Sequence, residues 1–251
     1  MTTGTPFVPG GYSFVPGVFQ YSGGVRAMTG HRIVRVRFRR VVPMAEGFRV
    51  IAAYLRDRGR PLTAFCACEL RSPAPFTEEG FRQFNLAYAQ VLTAWGVMVG
   101  GVNPVARSNV CPEVSPPAEP GFHAFCHTEE GDPDMPSFMI AGSGEVPEGR
   151  ANYRDHIVRP GDVSPDGMRT KAGFVMGEMT RRMEALGTGW DAVTGTQVYS
   201  VCDVTAVMPT VLAARGAAEH GVTWQFCRPP IVGLDYEMDC RGLSEERLLA
   251  A

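Results

Sequence analysis

The sequence predicts an α+β protein built of two similar units, residues 1–128 and 129–251, each a mostly antiparallel sheet backed by two helices. Three observations carry this. The order strand pair, helix, strand, helix, two strands runs once through the first half and begins again near Met135. Apolar residues recur at spacings of three and four in the helical stretches and alternate in the strand stretches. Finally, a dinucleotide-binding α/β fold needs a Gly-rich turn passing straight from strand into helix, and the one candidate, Gly142-Ser143-Gly144-Glu145-Val146-Pro147, opens no helix.

Taken in order, the first thirty residues are rich in Gly, Pro and aromatics and read as an irregular arm whose Phe7, Phe14, Phe19 and Tyr21 pack on the body. His31–Arg40 alternates, with Val34, Val36 and Phe38 on one face and Arg35, Arg37 and Arg39 on the other, which is a half-buried strand with a solvated basic side. Met44–Arg58 carries Phe48, Ile51, Ala52 and Leu55 at helical spacing and stops at Gly59 and Pro61. Leu62–Leu70 reads as a buried strand. A second helix opens at Thr77 with an acidic first turn and presents Phe81, Phe84, Tyr88, Val91, Leu92 and Trp95 as one face. Val105–Val110 and Gly121–Thr128 close the first unit. In the second, Ser137–Ala141 is a strand, Pro147–Gly167 a polar insertion, Val175, Met179, Met183 and Leu186 a helical stripe of core packing, Trp190–Val201 a strand and Thr205–His220 a helix.

Composition narrows the function. An apolar fraction of 45% is that of a packed globule, and a net charge of −2 provides no general field for nucleic acid, so no nucleic-acid partner is expected. The longest apolar runs fall short of the ~18 residues that span a bilayer, so no membrane partner is expected either. Seven cysteines without a secretory leader suggest free thiols and a cytoplasmic protein. No metal site is expected, because no pair of cysteines has metal-finger spacing. His123 and His127, with Cys126 beside the latter, lie on a strand-like run that would hold their side chains too far apart to chelate.

The closing stretch Trp224–Cys240 holds the candidate chemistry. A strand, a Pro-Pro break and a Gly turn lead into an alternation with Leu234, Tyr236 and Met238 on one face and Asp235, Glu237 and Asp239 on the other. A returning hairpin would bring Arg228 and Glu237 to one cleft, the first to bind a carboxylate, the second to activate water. A surface ion pair is the alternative reading of the same two residues.

Three segments, Phe138–Pro147 (FMIAGSGEVP), Gly195–Val204 (GTQVYSVCDV) and Tyr236–Asp239 (YEMD), occur in an order that resembles the RidA/YjgF family of enamine/imine deaminases over roughly residues 135–241. The resemblance implies a chorismate-mutase-like fold, a homotrimer with clefts between neighbouring units, no cofactor, and a small-molecule carboxylate substrate. The family's carboxylate-binding arginine lies on an Ala-Arg-Ser segment, which stands intact in the first half as Ala106-Arg107-Ser108, while the second half has Cys227-Arg228-Pro229 at the comparable place. The family glutamate corresponds to Glu237. Ser108, Gly144, Glu145 and Cys227 flank these groups and are the expected substrate contacts. Two-copy chains of this length look most like aminomuconate-type deaminases; a non-catalytic small-molecule-binding or protein-stabilising member is the alternative.

Overall fold

The computed structural model describes residues 4–131, 135–213, 216–217 and 220–250, which form two sheets and three α-helices. The N-terminal arm is regular for much of its length: β1 (Thr5–Phe7), β2 (Tyr12–Val15) and β3 (Gly24–Ala27) make an antiparallel meander. Then follow β4 (His31–Pro43), α1 (Met44–Asp57), β5 (Phe65–Arg71), α2 (Glu78–Ala94), β6 (Ala106–Pro112) and β7 (Gly121–Glu130). After these come β8 (Phe138–Gly144), α3 (Pro165–Ala185), β9 (Gly195–Tyr199), β10 (Val222–Gln225), β11 (Cys227–Arg228), β12 (Glu237–Gly242) and β13 (Glu246–Leu249).

One sheet has the order β11-β6-β5-β7-β4-β13 and the other β1-β2-β3-β8-β12-β9-β10. Within them β4, β7, β5, β6 and β8, β12, β9, β10 run in the same sequence, each with the last pair parallel and the others antiparallel. The termini cross over: β3 pairs with β8, and β13 pairs parallel to β4. Residues 5–27, grouped with the first half on sequence, therefore hydrogen-bond into the sheet of the second.

Helix α1 lays Phe48 edge-on against Phe122 at 4.9 Å and Tyr54 against Phe125 at 5.2 Å, so its apolar stripe covers β7. Thr77 caps α2 by accepting from the Gly80 N–H at 3.1 Å; Thr77→Ala should lower stability by about 1 kcal/mol, read as a shift in the urea midpoint. Met168, Val175, Met176, Met179 and Met183 of α3 fill the space above β8 and β12. The expected helix Thr205–His220 is represented by a π-helical turn at Met208–Leu212; residues 214, 215, 218 and 219 lie outside the described residues.

Two sequence readings change. Val34, Val36 and Phe38 are buried as expected, but Arg35 is buried too, its Nε and Nη2 donating to the Glu69 carboxylate at 2.5 and 2.9 Å. The basic side of β4 is covered at that point by the second sheet, while Arg37 and Arg39 reach solvent. The expected hairpin between Arg228 and Glu237 does not form. Pro229 and Pro230 offer no N–H for a ladder, and the chain leaves the β10 edge to pair β11 with β6 in the other sheet, whereas β12 sits between β8 and β9. His127 is buried against Tyr54 and Phe125, where burial pushes its pKa down to about 4, so it is a neutral packing residue.

Candidate active site

A cavity opens at the seam where β6 of one sheet meets β8 and β12 of the other, with about 470 Å³ of empty space including its mouth. Arg107 enters from β6. Its Nη2 donates to Asn85 Oδ1 at 2.6 Å, and its Nη1 is buried without a partner. Asn85 belongs to the α2 face that also carries Phe81, Phe84 and Tyr88, so the helical spacing that buries this stripe also builds a cage over the guanidinium. The Arg107 guanidinium carbon lies 4.9 Å from the Tyr88 ring centre and 5.5 to 5.7 Å from those of Tyr21, Phe84 and Phe81. Aromatic faces soften the loss of water around a cation without supplying an anion. Such a charge, tied to a neutral amide rather than a carboxylate, is set to receive an anionic ligand.

Facing it, Glu237 opens β12, with Gly144 opposite at the end of β8 and Tyr199 opposite at the end of β9. Its carboxyl leans over Gly142: a Cβ there would collide with Glu237 Oε1, which is the structural need for this glycine. Burial, then the nearby Asp239 and Glu145, push the Glu237 carboxyl well above the usual carboxylate range, against the smaller pull of Arg182 and Arg71. This shift favours the proton-bearing form of the carboxyl and suits it to proton donation. Asp239, two residues on, accepts from Ser108 Oγ at 2.5 Å, Tyr199 OH at 2.9 Å and Gln197 Nε2 at 3.0 Å.

The remaining sequence candidates divide. Gly144 lines the cavity with Arg107 and Glu237. Ser108 does not; it points to the opposite side of β6, onto Asp239. Glu145 is fully buried elsewhere, accepting from the backbone N–H groups of Asp235 at 2.6 Å and Tyr236 at 3.0 Å and from Lys171 Nζ at 3.2 Å, so it ties the approach to β12 onto the end of β8. Cys227 packs with Val110 and Tyr199, its thiol pushed up by burial. Arg228 is exposed and makes a bidentate surface pair with Glu113 at 2.6 and 2.9 Å, not with the buried Glu237.

Sequence reasoning missed several lining groups. Tyr21 comes from the arm, and Glu148 and Tyr153 come from the insertion after β8. Arg182 of α3 donates from Nη2 to Glu148 at 2.8 Å and from Nη1 to the Ala141 carbonyl at 2.8 Å. Both Asn85 and Arg182 interrupt otherwise apolar helical stripes, and a polar residue on a buried face was the available signal. Ile231 and Leu234 form the apolar side of the mouth, docked by the Phe76 N–H on the Pro230 carbonyl at 2.7 Å and the Val232 N–H on the Phe76 carbonyl at 3.1 Å.

Comparison with known proteins adds a second line. The family model described as 2-aminomuconate deaminase CnbZ matches residues 5–247. The chain belongs to this family. A 2-amino-5-chloromuconate deaminase from Comamonas testosteroni is 46% identical over 251 residues, covering 99% of this chain and 100% of that protein. Among solved structures, a chorismatase superposes with a TM-score of 0.57 at 15% identity, covering 92% of this chain and 80% of its own, which is a likeness of fold alone and fits a chorismate-mutase-like α+β architecture. The YjgF gene product of E. coli covers 43% of this chain and 81% of its own at 16% identity with a TM-score of 0.32, too slight a likeness to bear on the fold. In this CnbZ family member, the matched region includes both Arg107 of β6 and Glu237 of β12. No helix among the described residues is long and apolar enough to cross a membrane.

Proposed function

We propose that the chain hydrolyses an enamine acid of the 2-aminomuconate type, a dicarboxylate, to the corresponding keto acid and ammonia. The observation that carries this reading is the buried Arg107, without a carboxylate partner, in the same cavity as Glu237, whose carboxyl burial biases toward holding its proton. Arg107 seats one substrate carboxylate. Glu237 gives its proton to the enamine carbon next to the C–N carbon, and the C=C–NH2 unit becomes the iminium HC–C=NH2+. The carboxylate so formed takes a proton from water as the oxygen adds to the iminium carbon, and the neutral carbinolamine collapses to C=O with release of NH3, its hydroxyl proton passing to the leaving nitrogen. Substrate and water thus account for every atom of the products, and Glu237 ends reprotonated. The apolar side of the cavity excludes bulk water and strengthens the charge contact at Arg107.

The test is ammonia release from 2-aminomuconate; a non-catalytic binder would raise its melting temperature with the compound and release none. Arg107→Ala should raise KM by about 10- to 100-fold, the equivalent of a lost charge-assisted contact of roughly 1.5–3 kcal/mol, with a smaller change in kcat. An unchanged KM would remove Arg107 from the carboxylate seat. Within the same proposal, the chain is two concatenated RidA-like units, about 1–128 and 129–251, assembled as a cytoplasmic homotrimer; the repeated strand order supports the first point.

A further inference from the structure

Asn109 stands two residues beyond Arg107 on β6, and both line the cavity. Residues at i and i+2 of a strand share a face, about 6.5–7 Å apart. Each is fixed by one internal hydrogen bond: Arg107 by Asn85, and Asn109 by Ser72, whose Oγ donates to Asn109 Oδ1 at 2.9 Å. Ser72 is itself anchored to β6 by its backbone N–H on the Val110 carbonyl at 2.9 Å. After these bonds are counted, each side chain keeps a buried donor without a partner, Nη1 of Arg107 and Nδ2 of Asn109. One such group is costly, and two on the same face of one strand, lining one cavity, mark where a ligand's acceptor atoms belong.

We propose that Asn109 is a specificity-determining residue, its amide N–H joining Arg107 Nη1 to hold the two oxygens of one substrate carboxylate. This rests on the deaminase reading for its substrate class, and it deepens that reading by separating recognition from proton transfer. Arg107 supplies charge, and Asn109 supplies direction. The amide donor prefers a carboxylate to a carboxamide presenting its NH2 at the same place, since that NH2 would leave Nδ2 unsatisfied.

The experiment measures binding of cis,cis-muconate, which has both carboxylates and no amino group, to the full chain by calorimetry, alongside kcat and KM for 2-aminomuconate. Asn109→Ala should weaken muconate binding roughly tenfold and raise KM by a similar factor with kcat nearly unchanged. Asn109→Asp has the same shape but replaces the donor with a second negative charge, and should weaken binding further still. Ser72→Ala, which frees the amide to rotate, should give a smaller change of the same sign and carries the test if an Asn109 variant fails to fold. Muconate bound as tightly by Asn109→Asp as by the natural chain would overturn the proposal, because the amide would then be acting as an acceptor. So would a fall in kcat at constant KM, or a natural chain with no measurable muconate affinity. Muconate binding without ammonia release from 2-aminomuconate would sink the deaminase reading alone, leaving the Asn109 result to be read from the binding constants.

Discussion

Glu237→Gln should cut ammonia release by about 10²-fold or more while leaving muconate binding within a few-fold of the natural chain. Glutamine fills the same space over Gly142 and resembles the neutral form that burial favours for Glu237, so the fold has no reason to change. It cannot lend or recover a proton, which the proposed sequence requires twice. The same substitution has a stability signature of defined sign. Burial first, then Asp239 and Glu145, raise the folded pKa of Glu237 above its unfolded value of about 4.3. The stabilisation linked to this group is therefore complete below that unfolded value and is lost as pH rises through the folded pKa. Thermal melts of the natural chain and of Glu237→Gln should accordingly lie close together below the unfolded value of about 4.3 and separate as pH rises through the folded pKa, with the glutamine variant gaining. Ammonia release at the natural rate from the variant would end the assignment of Glu237 as the proton carrier.

The largest loss of stability is expected from Glu69→Ala, about 3–5 kcal/mol by urea unfolding at pH 7. Glu69 and Arg35 face each other between the sheets, both buried, at 2.5 and 2.9 Å, and Gln197 Nε2 adds a longer contact to Glu69 at 3.5 Å. Truncating the acid leaves a buried guanidinium with one remaining carboxylate, Glu246 at 2.8 Å, which is itself exposed to solvent. Burial pushes the Glu69 carboxyl up, but Arg35 outweighs it and holds the group below the usual range. Its stabilisation is thus present above the unfolded pKa of about 4.3 and is lost as pH falls through the lower folded value, so the variant should lose less than the natural chain does on acidification. A loss below 1 kcal/mol at pH 7 would show that the pair only balances its own desolvation.

What could be read from the sequence was what depends on neighbours along the chain. The α1 and α2 stripes, the cap at Thr77 and the alternation of β4 are local patterns, and each lies where its spacing put it. The burial of Arg35 was not legible, because which side of β4 meets the other sheet is decided by strands far along the chain. Arg228 was misplaced for a similar reason: the Pro-Pro break was read as the turn of a hairpin, whereas it carries the chain between sheets. For the candidate site, Arg107 stood out through its Ala-Arg-Ser setting and Glu237 through alternation. Asn109 carried no such mark, since an asparagine becomes a binding group only when Ser72 has taken its carbonyl and left its N–H buried.

The crossing of the termini sets how this chain could be divided. A cut between Gly131 and Met135 would yield a leading piece still bearing β1, β2 and β3, whose partner β8 is on the other piece, and a trailing piece still bearing β13, whose partner β4 is on the first. Each fragment would be left holding an edge the other needs, and such unpaired strand edges invite self-association when expressed apart. Brought together, the pieces would clasp reciprocally and rebuild the seam that places Arg107 across from Glu237. Each piece thus carries strands that complete the other's sheet.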